Sequence, residues 1–146
     1  MKRFLIAGLF ATLAFAQYTG PKTVYILPMS AGLDQYLAQW LTKDHVMQVV
    51  SNPKTAEVVM TDRLGEAFEQ KLNDILPGET KKTDETAHNT FRTSKPRGTI
   101  FLVDAKSRVV LWSDYQKPPR SSSDHDMNVA AEKIAKALSG QRASGK

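Results

Sequence analysis

Four residues stand where chain direction and residue type could together do chemistry: Ser30, Gly32, Asp62 and Arg63. Asp62-Arg63 follows the apolar run EVVMT, and Ser30-Ala31-Gly32 follows TVYILPM. Each pair of segments reads as a strand handing over to a helix. A helix start carries free N–H groups and positive dipole character. Arg63 adds a guanidinium that can bind a carboxylate through two hydrogen bonds. The chemistry expected there is reception of an acidic group from a partner or a small ligand. Ser30, Gly32 and Arg63 would be the contacts, with Asp62 fixing the helix start. The competing reading is a capped, solvated rim with no ligand.

Other candidates carry less. The three histidines, His45, His88 and His125, fall at a strand start and in two loops, without HExxH or G-x-S-x-G spacing. Asp124-His125-Asp126 offers adjacent metal-ligand types, but adjacent residues rarely converge on one ion, and aspartate at a helix start caps it. Ser121 to Ser123 lack a base partner. No phosphate loop is present. The sequence therefore nominates no catalytic residue, no metal ligand and no cofactor.

The elements that must position these residues follow from periodicity. Thr23 to Leu27 reads as a strand ended by Pro28, which supplies no N–H to a ladder. Leu33, Tyr36, Leu37, Trp40 and Leu41 form one apolar helix face. His45 to Val50 and Glu57 to Thr61 read as strands separated by the turn signal Ser51-Asn52-Pro53. A helix started by Thr61 or Asp62 carries Leu64, Phe68, Leu72, Ile75 and Leu76 and stops at Pro77-Gly78. Ile100 to Val103 and Val109 to Trp112 form a hairpin around Asp104 to Arg108. Both arms are apolar on both faces, so cover from both sides is expected. The last helix buries Met127, Ala130, Ala131, Ile134, Ala135 and Leu138, and Ser139-Gly140 ends it.

Residues 1–16, MKRFLIAGLFATLAFA, combine a basic start, an apolar run and an A-x-A ending. This is the pattern of a signal peptide cleaved before Gln17, which leaves no stable membrane anchor. The apolar run is shorter than the roughly 20 residues that span a bilayer. Residues 79–97 are polar and aperiodic apart from Phe91, and read as a mobile loop.

A chain of 146 residues, 41% hydrophobic and 24% charged, suits one globular domain. Its net charge is +5, of which Lys2 and Arg3 contribute two, so a chain starting at Gln17 carries +3. With no basic run longer than two residues, nucleic acid is not an expected partner. The absence of cysteine excludes disulfides, thiol catalysis, cysteine-ligated zinc and a lipid-anchored cysteine. The expected fold is α/β (α+β being the alternative), one mixed sheet of about five strands with three main helices.

The order of elements supports a resemblance. A strand ending VYILPM and the helix LDQYLAQWL precede HVMQVV, a Pro53-x-x-Ala56 turn and EVVMTD; later, FLVDAKSRVVLWS precedes AAEKIAKAL. This pattern resembles the small periplasmic α/β domains related to the curli secretion protein CsgG, the amino-terminal domain of TolB and the lipoprotein activators of penicillin-binding proteins. The long TDRLGEAFEQKL helix and the missing anchor cysteine depart from the lipoprotein members. The resemblance implies that the second and third strands flank the first. It also implies a non-catalytic, periplasmic or secreted module that docks an envelope protein, and leaves the oligomeric state open. A small-ligand-binding periplasmic domain and an envelope hydrolase are the alternatives.

Overall fold

Residues 20–76 and 98–144 are described by the structure, a computed structural model. The expected leader at 1–16, the cleavage point before Gln17 and the expected loop at 79–97 lie outside these residues.

Five strands form one mixed sheet: β1 (Thr23–Ile26), β2 (Gln48–Val49), β3 (Val58–Thr61), β4 (Thr99–Asp104) and β5 (Val110–Tyr115). Their spatial order is β2-β1-β3-β4-β5. β1 runs parallel to both β2 and β3, while β4 is antiparallel to β3 and to β5. Among the described residues three helices, α1 (Leu33–Lys43), α2 (Glu66–Ile75) and α3 (Asp124–Ser144), complete the α/β architecture.

The short connection from β2 to β3 works because the two strands flank β1 instead of pairing with each other. Neighbouring parallel strands would need a crossover of roughly a dozen residues. Here the chain steps across one strand, about 10 Å between strand axes. β2 is two residues long, so little backtracking is needed. A 3-10 turn at Pro53–Thr55 makes the step, its start held by the Asn52 side chain, which accepts the Lys54 N–H at 3.0 Å.

The alternation in β4 decides which residues enter which core. Ile100 and Leu102 join Val24, Val58 and Met60 beneath α1 and α3. Val103 joins Leu27 and Val59 beneath α2, where Phe68 and Leu72 fill the space. Two side-chain hydrogen bonds fasten α1 to α3: Tyr36 Oη donates to Asp124 at 2.7 Å, and Trp40 Nε1 to Asn128 at 2.9 Å. These aromatics are half-buried, packed against the first core with their polar tips directed at α3.

Three local readings are corrected. The second strand is the two residues Gln48–Val49, not His45 to Val50, because His45 adopts φ 51° in the turn that leaves α1. α3 does not stop at Ser139-Gly140 but runs to Ser144, where Arg142 Nη1 donates to the Pro21 carbonyl at 3.0 Å. That tie spans the domain and outweighs the local stop signal. β5 is an edge strand, not a strand covered on both sides. Val109, Val110, Leu111 and Tyr115 are between 42% and 64% exposed. Strand β4 alone of the hairpin pair is flanked on both sides.

In the hairpin connection, Asp104 Oδ1 accepts from Ser107 N at 2.7 Å, Ser107 Oγ at 3.0 Å and Lys106 N at 3.0 Å. The Ser107 bonds, with smaller help from Lys106, hold the Asp104 carboxyl below its ordinary value of 3.8. A depressed folded-state pKa contributes stability above the unfolded value, and that contribution is lost as pH falls through the lower folded value. Wild type should therefore be more stable than Asp104→Asn in urea melts at about pH 5, and the two should converge toward about pH 2. A difference that persists unchanged at the acid end would refute the assignment.

Candidate functional site

The parallel pairing of β1 with β3, with Ile26 opposite Met60, brings the exits of both strands to one rim of the sheet. Just beyond β3, Arg63 N donates to Thr61 Oγ1 at 3.3 Å, and Thr61 Oγ1 donates to the Arg63 carbonyl at 3.0 Å. This tight local pairing turns the chain at Asp62. Beyond β1, Pro28 ends the ladder, and Met29 N donates to Asp34 Oδ1 of α1 at 3.0 Å. That bond draws the start of α1 toward the strand exit and leaves Ser30 facing Asp62.

The two exits are joined by one polar cluster. Ser30 donates twice to Asp62 Oδ2, from its backbone N–H at 3.0 Å and from Oγ at 2.8 Å. Arg63 Nε donates to Asp62 Oδ1 at 3.2 Å, and Arg63 Nη2 donates to Ser30 Oγ at 3.2 Å. Ser30 is 1% exposed, Asp62 6%, and the Arg63 side chain 13%. Three of the four residues nominated from sequence thus meet. The acidic group that faces the Arg63 guanidinium here is Asp62 of the chain itself. Gly32 stands apart from these contacts, supplying φ 74° at the start of α1 with open space around it. The neighbouring Ala31 also takes a left-handed φ of 55°, a strained conformation for a residue with a Cβ.

Asp62 does not start α2. The residue before that helix is Gly65, with φ 97° and no side-chain cap, and Glu66 and Glu69 supply negative charge in the first turn. Asp62 is taken instead by a partner 32 residues away, a pairing that local spacing does not announce.

The 116–119 segment, QKPP, covers the cluster from the side of β4 and α3. It is held by Gln116 N–H donating to the Gly98 carbonyl at 2.7 Å. Gly98 has φ 82°, and a Cβ there would lie 2.3 Å from the Gln116 carbonyl oxygen, so only glycine permits this approach. Beneath the cover, a void of about 20 Å³ touches Ser30, Asp62, Ile100 and Met127, room for about one water molecule. Outside it, a cleft of about 350 Å³ is lined by Lys117, Arg120 and Lys133, with Asp126 beside them.

The serine run acts at the start of α3. Ser121 Oγ donates to Asp126 Oδ2 at 2.6 Å, and Asp126 N donates to Ser123 Oγ at 3.3 Å. The Ser121 bond, in the main, lowers the Asp126 pKa. The spacing of Ser123 and Asp126 is that of a capping box, a signal available in the sequence. Among the described residues no group of three or more His, Asp or Glu could hold a metal ion. No described helix is long and apolar enough to cross a membrane.

A second feature, absent from the sequence reading, lies along β5. Gln116 N–H bonds to Gly98, so by antiparallel alternation Asp114 and Trp112 also direct their N–H and C=O toward β4. Ser113 and Tyr115 then direct theirs outward. Leu102 pairs with Trp112 and Val103 with Val110, which leaves Leu111 unopposed at a bulge. Leu111 and Trp112 form one wall of a cleft of about 310 Å³, and Leu138 and Arg142 of α3 form the other. Compared with protein families, with curated proteins and with solved structures, the chain matches none.

Proposed function

We propose that the protein is a non-catalytic module, exported to the periplasm or beyond, that docks an extended segment of a bacterial envelope protein along β5. The observation that carries this reading is that β5 is an edge of the sheet among the described residues, with a cleft beside it. The outward N–H and C=O groups of Ser113 and Tyr115 can accept an added strand. The cleft between β5 and α3 is walled by Leu111, Trp112 and Leu138, so the added strand would place an apolar side chain there. The sheet edge lacks proline and lysine from Val110 to Tyr115, residues that usually block edge pairing. The buried Ser30–Asp62–Arg63 cluster then serves as the rigid base of the domain, joining β1, β3 and α1. The resemblance to the CsgG, TolB and penicillin-binding-protein-activator group, and the leader-like residues 1–16, support an envelope location.

Ser113→Pro tests the reading, because it removes an outward N–H without removing a bond to β4. A photo-crosslinking residue at Leu111 in intact cells should give a discrete adduct with one envelope protein, and adding Ser113→Pro should abolish it. The melting temperature should stay close to that of wild type. No adduct at Leu111, or an adduct unaffected by Ser113→Pro in a folded variant, would reject strand addition at β5.

A further inference from the structure

The rim of the sheet opposite Ser30 and Asp62 carries a second feature. There the β4–β5 turn meets the end of α2 and the 3-10 turn before β3, and the three line an open cleft of about 440 Å³. Lys54, Lys106 and Arg108 bring three positive charges to its walls, and among the described residues no acidic residue lines it. Ala56, Leu76 and Ala105 supply an apolar surface between them. The volume lies within the range of about 300–1,000 Å³ typical of small-molecule sites.

Arg108 is the unusual member. Its Nη1 is buried and has no hydrogen-bond partner, the one such side-chain atom among the described residues. A buried donor left without an acceptor is costly, and more so on a charged group. Its Nη2 reaches the neutral Asn73 Oδ1 of α2 at a long 3.4 Å. The acid nearest in sequence, Asp104, uses Oδ1 for the Lys106 N–H and for the N–H and hydroxyl of Ser107, and makes no ion pair with Arg108.

The backbone adds an independent observation. Arg108 has φ 62°, in the left-handed region where glycine or asparagine sits without strain. The hairpin turn therefore holds an arginine at a position whose geometry favours a smaller residue. A cationic donor left without an acceptor in a cleft, on a residue with this backbone conformation, motivates a search for the missing acceptor in a ligand.

We infer that this cleft binds a small organic oxyanion, a carboxylate or a phosphate group on an apolar body, with Arg108 as its anchor. The acidic head meets the Arg108 guanidinium once the side chain turns its buried Nη1 toward the cleft, and the planar donors match two oxygens of either group. Lys54 and Lys106 add charge at the mouth, and the body lies against Ala56, Leu76 and Ala105. This site is separate from the β5 edge, so either can fail without the other.

Benzoate and phenyl phosphate are the probes, since they share the apolar body and differ in the head group. Each is titrated into the protein at constant ionic strength, with sodium chloride as control, while the arginine side-chain N–H resonances are followed by NMR. At least one probe should shift the Arg108 resonance to saturation while chloride does not, and the tighter probe identifies the head group. Arg108→Gln should weaken that binding by about tenfold or more. Arg108→Gly should weaken it equally while holding or raising the melting temperature, because it relieves the φ of 62°. The pair of variants separates loss of the anchor from loss of the fold. Saturation by neither probe, an equal response to chloride, or binding by both variants within about twofold of wild type would overturn the inference.

Discussion

An Asp62→Ala variant is expected to lose about 3–5 kcal/mol of unfolding free energy, the usual consequence of breaking a buried charged pair from one side. Asp62 is 6% exposed and accepts every bond that ties Ser30 to it. Truncation strands the Ser30 N–H and hydroxyl in a position 1% exposed, and each buried donor without an acceptor costs about 1–3 kcal/mol. It also removes the carboxylate that faces the Arg63 guanidinium. Such a loss is a large share of the roughly 5–15 kcal/mol available to a domain. Asp62→Asn should fall between the two, because its amide keeps one acceptor and turns a donor toward donors. Urea melts measure the difference. A loss below about 1 kcal/mol for Asp62→Ala would mean that the cluster does not hold the β1 and β3 exits together.

Phe68→Ala should cost about 3–5 kcal/mol as well, for a different reason. Phe68 is 2% exposed and is the largest side chain α2 places against the sheet. It packs in a small core with Leu27, Val59, Leu72, Val103 and Ala105. The strands below it are paired on both sides, so the space left by the ring is expected to collapse by movement of α2. Denaturant melts should show the loss, and hydrogen exchange should place the fastest new opening in α2. A loss of under about 1 kcal/mol would require α2 to repack fully over the gap. Trp112→Ala should cost less than Phe68→Ala. Trp112 reads from its pattern as a core residue, but it sits on the edge strand and is half-buried.

Much of the architecture was legible because it is local. The spacing of Leu33, Leu37 and Leu41 is that of a helix with one buried face, and all three are buried. The alternation through Ile100, Phe101, Leu102 and Val103 requires cores on both sides of β4, and the structure has α1 and α3 on one side and α2 on the other. The flanking of β1 by β2 and β3 was expected only from the resemblance, since the short connection by itself said no more than that β2 and β3 are not parallel neighbours, and the shortness of β2 makes it physically possible. Once β1 and β3 run parallel, Ser30 and Arg63 must share a rim.

Tertiary structure alone decided the rest. Periodicity reports how a strand is faced, not whether another strand lies beside it, so β4 and β5 read alike although one is central and the other an edge. Ser139-Gly140 is a local stop that α3 passes through, because Arg142 finds the Pro21 carbonyl 121 residues away. Asp62 reads as a cap for the helix that follows it, yet its carboxylate is claimed by Ser30, whose donors are buried and must be satisfied. Arg108 reads as one charge in a polar turn, and only the packing of that turn against α2 buries its Nη1 without a partner. In each case the sequence determined which groups need water, a core or an acceptor, while contacts distant along the chain determined which of those needs was met.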